Sequence, residues 1–175
     1  MRTADELLDI YLDAVGANAS LLLNIPPDTH GRIAAPDCAS LTELGTKIQQ
    51  IFASNVTEKA AITTDSAIAQ HPITLAVDGM ANTYWQAAYG QESDTITLNF
   101  PKPQKVSCVV LGEHLLTGQR IESGEIWADG SKASEFTVVG HKRICRFTPV
   151  DVQTLTIKIT ASRTEPTLRL LEVYQ

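Results

Sequence analysis

The sequence predicts a mostly β protein, an antiparallel β-sandwich or jelly roll preceded by a short helix–strand–helix segment. Three observations carry that reading. The hydrophobic period changes near residue 55, from helical stripes to strict alternation. Beyond that point, roughly eight short alternating segments follow one another with no helix between them. Before it, SLLLNIPPDTHGR at residues 20–32 runs three leucines into Asn24 and a Pro-Pro pair. Leu21, Leu22 and Leu23 are apolar on both faces, as in a strand of a parallel sheet covered on both sides. Such a strand cannot bury itself, so the stretch implies neighbours.

The helix–strand–helix segment occupies residues 1–54. Thr3 and Glu6 form a capping box, Leu7, Leu8, Tyr11, Leu12 and Val15 share one face, and Gly16 reads as the stop. The strand is expected over residues 19–25. Pro26 and Pro27 end it, because neither donates a ladder hydrogen bond. Asp28 and His30 lie in the loop beyond its carboxyl end, where α/β folds keep their chemistry and where turn-forming residues are also common. A second helix is expected from about Pro36, with Leu41, Leu44, Ile48, Ile51 and Phe52 as its apolar stripe. A unit of this kind is the end of something larger.

Residues 55–175 are expected to form the sandwich. DTITLNF places Ile96, Leu98 and Phe100 on one face, and QTLTIKIT does the same with Leu155, Ile157 and Ile159. KVSCVVLGE, ESGEIWAD, EFTVVG, KRICRF and LRLLEVY read as further strands separated by turns. Gly124, inside ESGEIWAD, predicts a bulge.

Composition excludes several function classes. Of 175 residues, 43% are apolar and 19% charged, which describes an ordinary globular chain. The net charge of −6 and the absence of a basic run argue against nucleic acid as a partner. No apolar run is long enough to span a bilayer as a helix, so no membrane partner is expected. The opening MRTADELLDI reads as a helix and not as an export signal. Cys38, Cys108 and Cys145 lack metal-ligand spacing. They read as buried or half-buried thiols, with a Cys108–Cys145 bridge left open. The sequons at Asn18 and Asn55 read as chance matches.

No complete active site is legible. Asp5, Glu6, Asp9, Asp13 and Glu43 fit solvated helix faces, and no Ser/His/Asp set, phosphate loop or HExxH is present. In LAVDGMANTYW, Asp78, Asn82 and Thr83 bring hard oxygens together within six residues. They suit either a Ca²⁺ ion, which takes about 6–8 oxygens, or an Asp-Gly turn capped by local hydrogen bonds. Glu113, Arg120, His141 and Arg143 stand in or beside apolar strands. Either Glu113 pairs with Arg120 or Arg143 as a buried ion pair, or these residues form a polar sugar-binding cluster. In the second case Trp85, Tyr84 or Tyr89 would stack on a pyranose face.

Taken together, the motifs resemble one family. YLDAVGANASLLLNIPPDTHGRI resembles the end of the catalytic (β/α) barrel in α-L-fucosidases of glycoside hydrolase family twenty-nine. VDGMANTYW, VVLGEHLLTGQRIES and VGHKRICRF are similar to the C-terminal discoidin-like, galactose-binding-like sandwich of the same enzymes. The resemblance covers nearly the whole chain and implies residues 1–54 as barrel end and 55–175 as accessory sandwich. It implies a retaining, exo-acting fucosidase acting on fucosylated glycans, secreted or periplasmic as a whole. Its nucleophile and acid/base carboxylates would lie on barrel strands preceding Met1, so no catalytic residue is assigned in this chain and the chain alone is expected to be inactive. The resemblance also implies a structural Ca²⁺ held through Asp78, Met80, Thr83 and Glu172, although Met80 stands where the family usually has an acidic residue. No cofactor is implied for catalysis. A free-standing carbohydrate-binding module is the alternative reading, and a structural interaction domain without sugar binding is a third.

Overall fold

The computed structural model describes residues 2–175. Helix α1 spans Ala4–Val15. The Thr3 hydroxyl accepts the Glu6 N–H at 3.3 Å, while the Glu6 carboxylate accepts the Thr3 N–H at 2.7 Å. The expected capping box is complete. Gly16 does end the helix, but with an ordinary φ of −75°. A Cβ at Gly16 would stand 2.3 Å from the Leu12 carbonyl oxygen and 3.0 Å from Ile144 Cβ. Close approach to the sandwich, rather than a left-handed turn, is what requires glycine here.

Helix α2 spans Ala35–Ile51, with proline in its first turn. Lys47 joins the two helices through Asp5 at 2.8 Å. The strand expected over residues 19–25 does not form: the stretch has no regular secondary structure and no strand partner among the described residues. Leu21, Leu23 and Ile25 are half-buried, Leu23 and Ile25 beside Leu7 of α1 and Leu41 of α2, whereas Leu22 is 94% exposed. The sequence marked two apolar faces, and this chain covers one of them. Beyond it, Asp28 Oδ1 accepts the N–H groups of His30 and Arg32 at 2.8 and 2.9 Å. Asp28 is therefore a turn former, and the His30 ring stays exposed.

The sandwich contains eight strands: β1 (Ala61–Thr64), β2 (Trp85–Gln86), β3 (Asp94–Gly112), β4 (Ile121–Ala128), β5 (Ser131–Phe136), β6 (Arg143–Ser162), β7 (Thr167–Leu168) and β8 (Leu170–Tyr174). All pairings are antiparallel. Four expected strands merge into two. DTITLNF and KVSCVVLG are halves of β3, and KRICRF and QTLTIKIT are halves of β6. The proline-rich step expected to be a turn is a register shift between Asn99 and Gln104. An irregularity of this kind bends a strand pair, and such bends are how long strands pass from one layer of a sandwich to the other. Hydrogen bonding runs through one sheet in the order β1-β3-β6-β4-β5, with β8 on β3: β1, the first half of β3, the second half of β6, β4 and β5 make one layer, the remaining halves with β8 the other, and β2 pairs with β7 apart from it. EFTVVG contributes only its first residues to β5.

Between the layers lies one continuous core that includes Trp85, Ile96, Leu98, Phe100, Leu111, Ile157 and Leu171. A smaller cluster on the outer face of the second layer joins Cys108, Val110 and Tyr174 to Ile51 and Phe52 of the α2 end. Cys108 pairs in register with Arg146, and Cys145 with Val109, so the two thiols point to opposite faces. Both are free, which closes the question of a bridge. Burial pushes their thiols up to about 12 and about 11, respectively. Gly124 sits at a register shift of β4, as expected, because a Cβ there would meet the Phe136 ring at 2.2 Å.

Candidate functional site

The segments 66–71, 84–93, 113–120, 140–142 and 163–169, which include the short strands β2 and β7, meet beside the ends of the two long strands, and polar residues gather there. Glu113 leaves β3 with its side chain fully buried. Its Oε1 accepts the N–H groups of Arg120 and Ile121 at 2.7 and 2.9 Å, and its Oε2 accepts that of Gly140 at 2.6 Å. The expected ion pair with Arg120 or Arg143 is absent among the described residues. Three backbone dipoles already stabilise the carboxylate, and Arg120 instead donates to the Glu165 carbonyl at 2.7 Å. Arg143 opens β6 and faces Ala17 across an isolated bridge.

Sugar-stacking candidates divide sharply. Trp85 has no exposed surface, and its Nε1–H donates to the Ser66 carbonyl at 3.1 Å. A ring with no open face cannot serve as a platform, so Trp85 is a core residue. Tyr84 has both faces occupied, by His71 at 3.9 Å and by His114 at 3.8 Å between ring centroids. His114 titrates below the usual imidazole range because it is buried and shares its surroundings with His71, Arg120 and Arg169. His141 is exposed, and its backbone rather than its ring is engaged: its N–H donates to Asn18 Oδ1 and its carbonyl accepts from the Arg169 guanidinium. Tyr89, 77% exposed, is the one of the three stacking candidates whose ring is open.

The Asp78 loop lies elsewhere. Asp78 Oδ1 accepts the Met80 N–H at 2.8 Å, and the Thr83 hydroxyl lies 2.7 Å from Asp78 Oδ2 and 3.2 Å from the Met80 carbonyl. The Met80 side chain points to solvent, leaving its carbonyl as the relevant group. Asp78 and Glu172 line the same cavity of about 200 Å³, together with Asn55 and Thr57. Glu172 accepts the Tyr174 hydroxyl at 2.9 Å. Burial, with the Glu172 carboxylate beside it, raises the Tyr174 phenol. All of these donors are oxygens, the set that a hard cation accepts. No group of three His, Cys, Asp or Glu side chains gathers as a metal cluster among the described residues.

Sequence reasoning missed two features. Asn18 adopts a left-handed φ of 70°; its Oδ1 accepts the His141 N–H at 2.6 Å and its Nδ2 donates to Gln119. It thereby ties the end of α1 to two sandwich loops. Asp94 accepts hydrogen bonds from the hydroxyls of Thr64 and of Ser66, the latter at 2.6 Å, and burial raises its carboxyl. A signal for Asp94 existed: alternation in DTITLNF puts it on the inner face with Ile96 and Leu98.

Comparison with known proteins places this geometry. No protein-family model matches the chain. Alpha-L-fucosidase 1 of Arabidopsis thaliana is 29% identical over 185 aligned positions, which cover 99% of this chain and 36% of that protein. A solved α-L-fucosidase structure from Bacteroides thetaiotaomicron superposes with a TM-score of 0.93 at 27% identity, over 100% of this chain and 40% of its own. A Ruminococcus gnavus GH29 fucosidase in complex with fucose gives a TM-score of 0.90 at 27% identity, over 99% and 37%. The chain thus spans little more than a third of the length of these relatives. Its homologues are α-L-fucosidases of glycoside hydrolase family twenty-nine, and the chain corresponds to a C-terminal part of them.

Proposed function

We propose that this chain is the C-terminal part of a retaining, exo-acting α-L-fucosidase that removes terminal α-L-fucosyl groups from glycoconjugates in a secreted or periplasmic setting. The observation that carries the reading is the likeness to fucosidases over both halves of the chain at once, helices and sandwich together. A carbohydrate-binding module would have no use for the unpaired leucine stretch. Retention requires two carboxyl groups about 5–5.5 Å apart across the scissile bond. In this reading both come from the barrel, and the sandwich packs on the barrel and shapes its rim. The test is a chimera in which residues 1–175 replace the matching part of the Bacteroides thetaiotaomicron relative. Release of nitrophenol from 4-nitrophenyl α-L-fucoside by the chimera, with none from residues 1–175 alone, is the expected result. Hydrolysis by the chain alone would overturn the placement of the carboxylates.

We further propose that the Asp78 loop holds a structural Ca²⁺. Asp78, the Met80 carbonyl and Thr83 would supply ligands from one side of the cavity and Glu172 from the other. The convergence of these oxygens supports the reading. Calcium is expected to raise the thermal midpoint of the chain, and Asp78→Ala to abolish the increment; an unchanged midpoint in the unsubstituted chain would sink the idea.

A further inference from the structure

The leucine stretch between the two helices keeps the exposure pattern of a strand although it joins no sheet. From residue 20 to residue 25 exposure alternates: Ser20, Leu22 and Asn24 are open, and Leu21, Leu23 and Ile25 are half-buried. A period of two puts each set on its own face. The half-buried face turns to the helices, where Leu23 and Ile25 line a concavity of about 360 Å³ with Leu7 of α1 and Leu41 of α2. Asn24 borders the same concavity but is itself exposed. The open face carries Leu22, with 94% of its surface in solvent. Pro26 and Pro27 follow, and the Asp28 turn then redirects the chain. Asn24 is therefore the last residue of the open face at its carboxyl end.

We infer that Ser20, Leu22 and Asn24 face the interior of the barrel in the whole enzyme, and that Asn24 lines its fucosyl pocket. The inference rests on the barrel origin of residues 1–54 proposed above and adds a named residue to its active site. In a (β/α) barrel the helices pack outside, so the strand face that meets them is the outer one. Leu23 and Ile25 meet helices here, which makes the face of Leu22 and Asn24 the inner one. Inner side chains of such barrels stack in packed, mostly branched apolar layers, and Leu22 suits one of them. An amide does not suit a dry layer unless it is hydrogen-bonded. Active sites of these barrels open at the carboxyl ends of the strands, which is where Asn24 stands. Its amide offers both donors and an acceptor without charge, the combination that a sugar hydroxyl matches. A third carboxylate at that place would instead make the catalytic pair harder to ionise.

Leu22→Ser, made both in residues 1–175 and in the chimera, reads the orientation without activity. The thermal midpoint should stay unchanged in the chain alone and fall by several degrees in the chimera, where the same side chain is packed. Asn24→Ala and Asn24→Asp in the chimera read the pocket with 4-nitrophenyl α-L-fucoside. Asn24→Ala should lower kcat/KM by about threefold to tenfold, the loss of one neutral hydrogen bond. Asn24→Asp keeps the size and adds a charge, so it should move the acidic limb of the pH profile to higher pH. A merely structural role would leave that limb where it is. An unchanged midpoint for Leu22→Ser in the chimera would overturn the inner placement. Undiminished kcat/KM in Asn24→Ala together with an unshifted profile in Asn24→Asp would remove Asn24 from the pocket. Should the unsubstituted chimera fail to hydrolyse the fucoside, the proposed function falls, while the Leu22→Ser comparison still decides the orientation.

Discussion

Residues 1–54 and 55–175 are both rich in apolar side chains, yet they use them differently. In the helical half, α1 buries only Ala4 and Leu7, and α2 only Leu44. In the sandwich, Trp85, Ile96, Leu98, Leu155 and Ile157 lose all contact with solvent. Leu22 and Ile157 are similar in size and hydrophobicity, but one is 94% exposed and the other 0%. The difference teaches that burial belongs to the available partner and not to the residue. Ile157 lies in a central strand flanked by β3 and β4, whereas Leu23 and Ile25 have helix neighbours in Leu7 and Leu41 and Leu22 beside them is left to solvent.

The sharpest way to test this contrast is Ile157→Ala, which should destabilise the chain by about 2–5 kcal/mol. Urea unfolding monitored by Trp fluorescence would measure it, and a loss under 1 kcal/mol would deny that the sandwich core is well packed. Next comes the tie between the halves. Asn18→Ala removes two hydrogen bonds to sandwich loops and leaves a non-glycine residue at positive φ, for a loss of about 1–3 kcal/mol. Hydrogen exchange should then quicken across residues 4–18 and 140–143 while the core strands stay protected. Uniform loss of protection would show that the halves unfold as one unit.

A smaller effect concerns pH. His114 is a base whose folded pKa lies below its unfolded value near 6.5, so the folded state binds fewer protons. Its contribution is fully present above that unfolded value and fades as pH falls through it towards the folded value. The thermal midpoint should therefore fall between pH 7 and pH 5, and His114→Gln should flatten part of that slope. A slope unaltered by the substitution would remove His114 from the account. Smallest is Leu22→Ser, which should change stability by less than about 0.5 kcal/mol because the side chain is already in water. If Leu22 and its exposed neighbours make the isolated chain self-associate, sedimentation should show less of it in this variant.

Local features were the most legible in the sequence. The capping box at Thr3 and Glu6 needs only residues three apart, and structure and sequence agree on it. Alternation in DTITLNF and QTLTIKIT assigned Ile96, Leu98, Ile157 and Ile159 to the inner face correctly, because a period of two is a property of each strand alone. The roles of single polar and aromatic residues were harder. Glu113 looked like half of an ion pair, but its partners are three N–H groups from segments up to 27 positions away, which no local pattern marks. Trp85 looked like a sugar platform because its type suits either a core or a surface, and only packing decides between them.

By itself, then, the sequence determined what depends on neighbours along the chain: two helices, the alternating strands, the place where the period changes, and the motifs shared with fucosidases. The tertiary structure decided what depends on residues far apart. It joined pairs of expected strands into β3 and β6, set Cys108 and Cys145 on opposite faces, closed both faces of Tyr84, and gathered Asp65, Gln91 and Ser93 around one opening. The physical reason is range. Backbone propensity and side-chain period act over a few residues, whereas burial, hydrogen-bond partners and concavities arise only when distant segments meet.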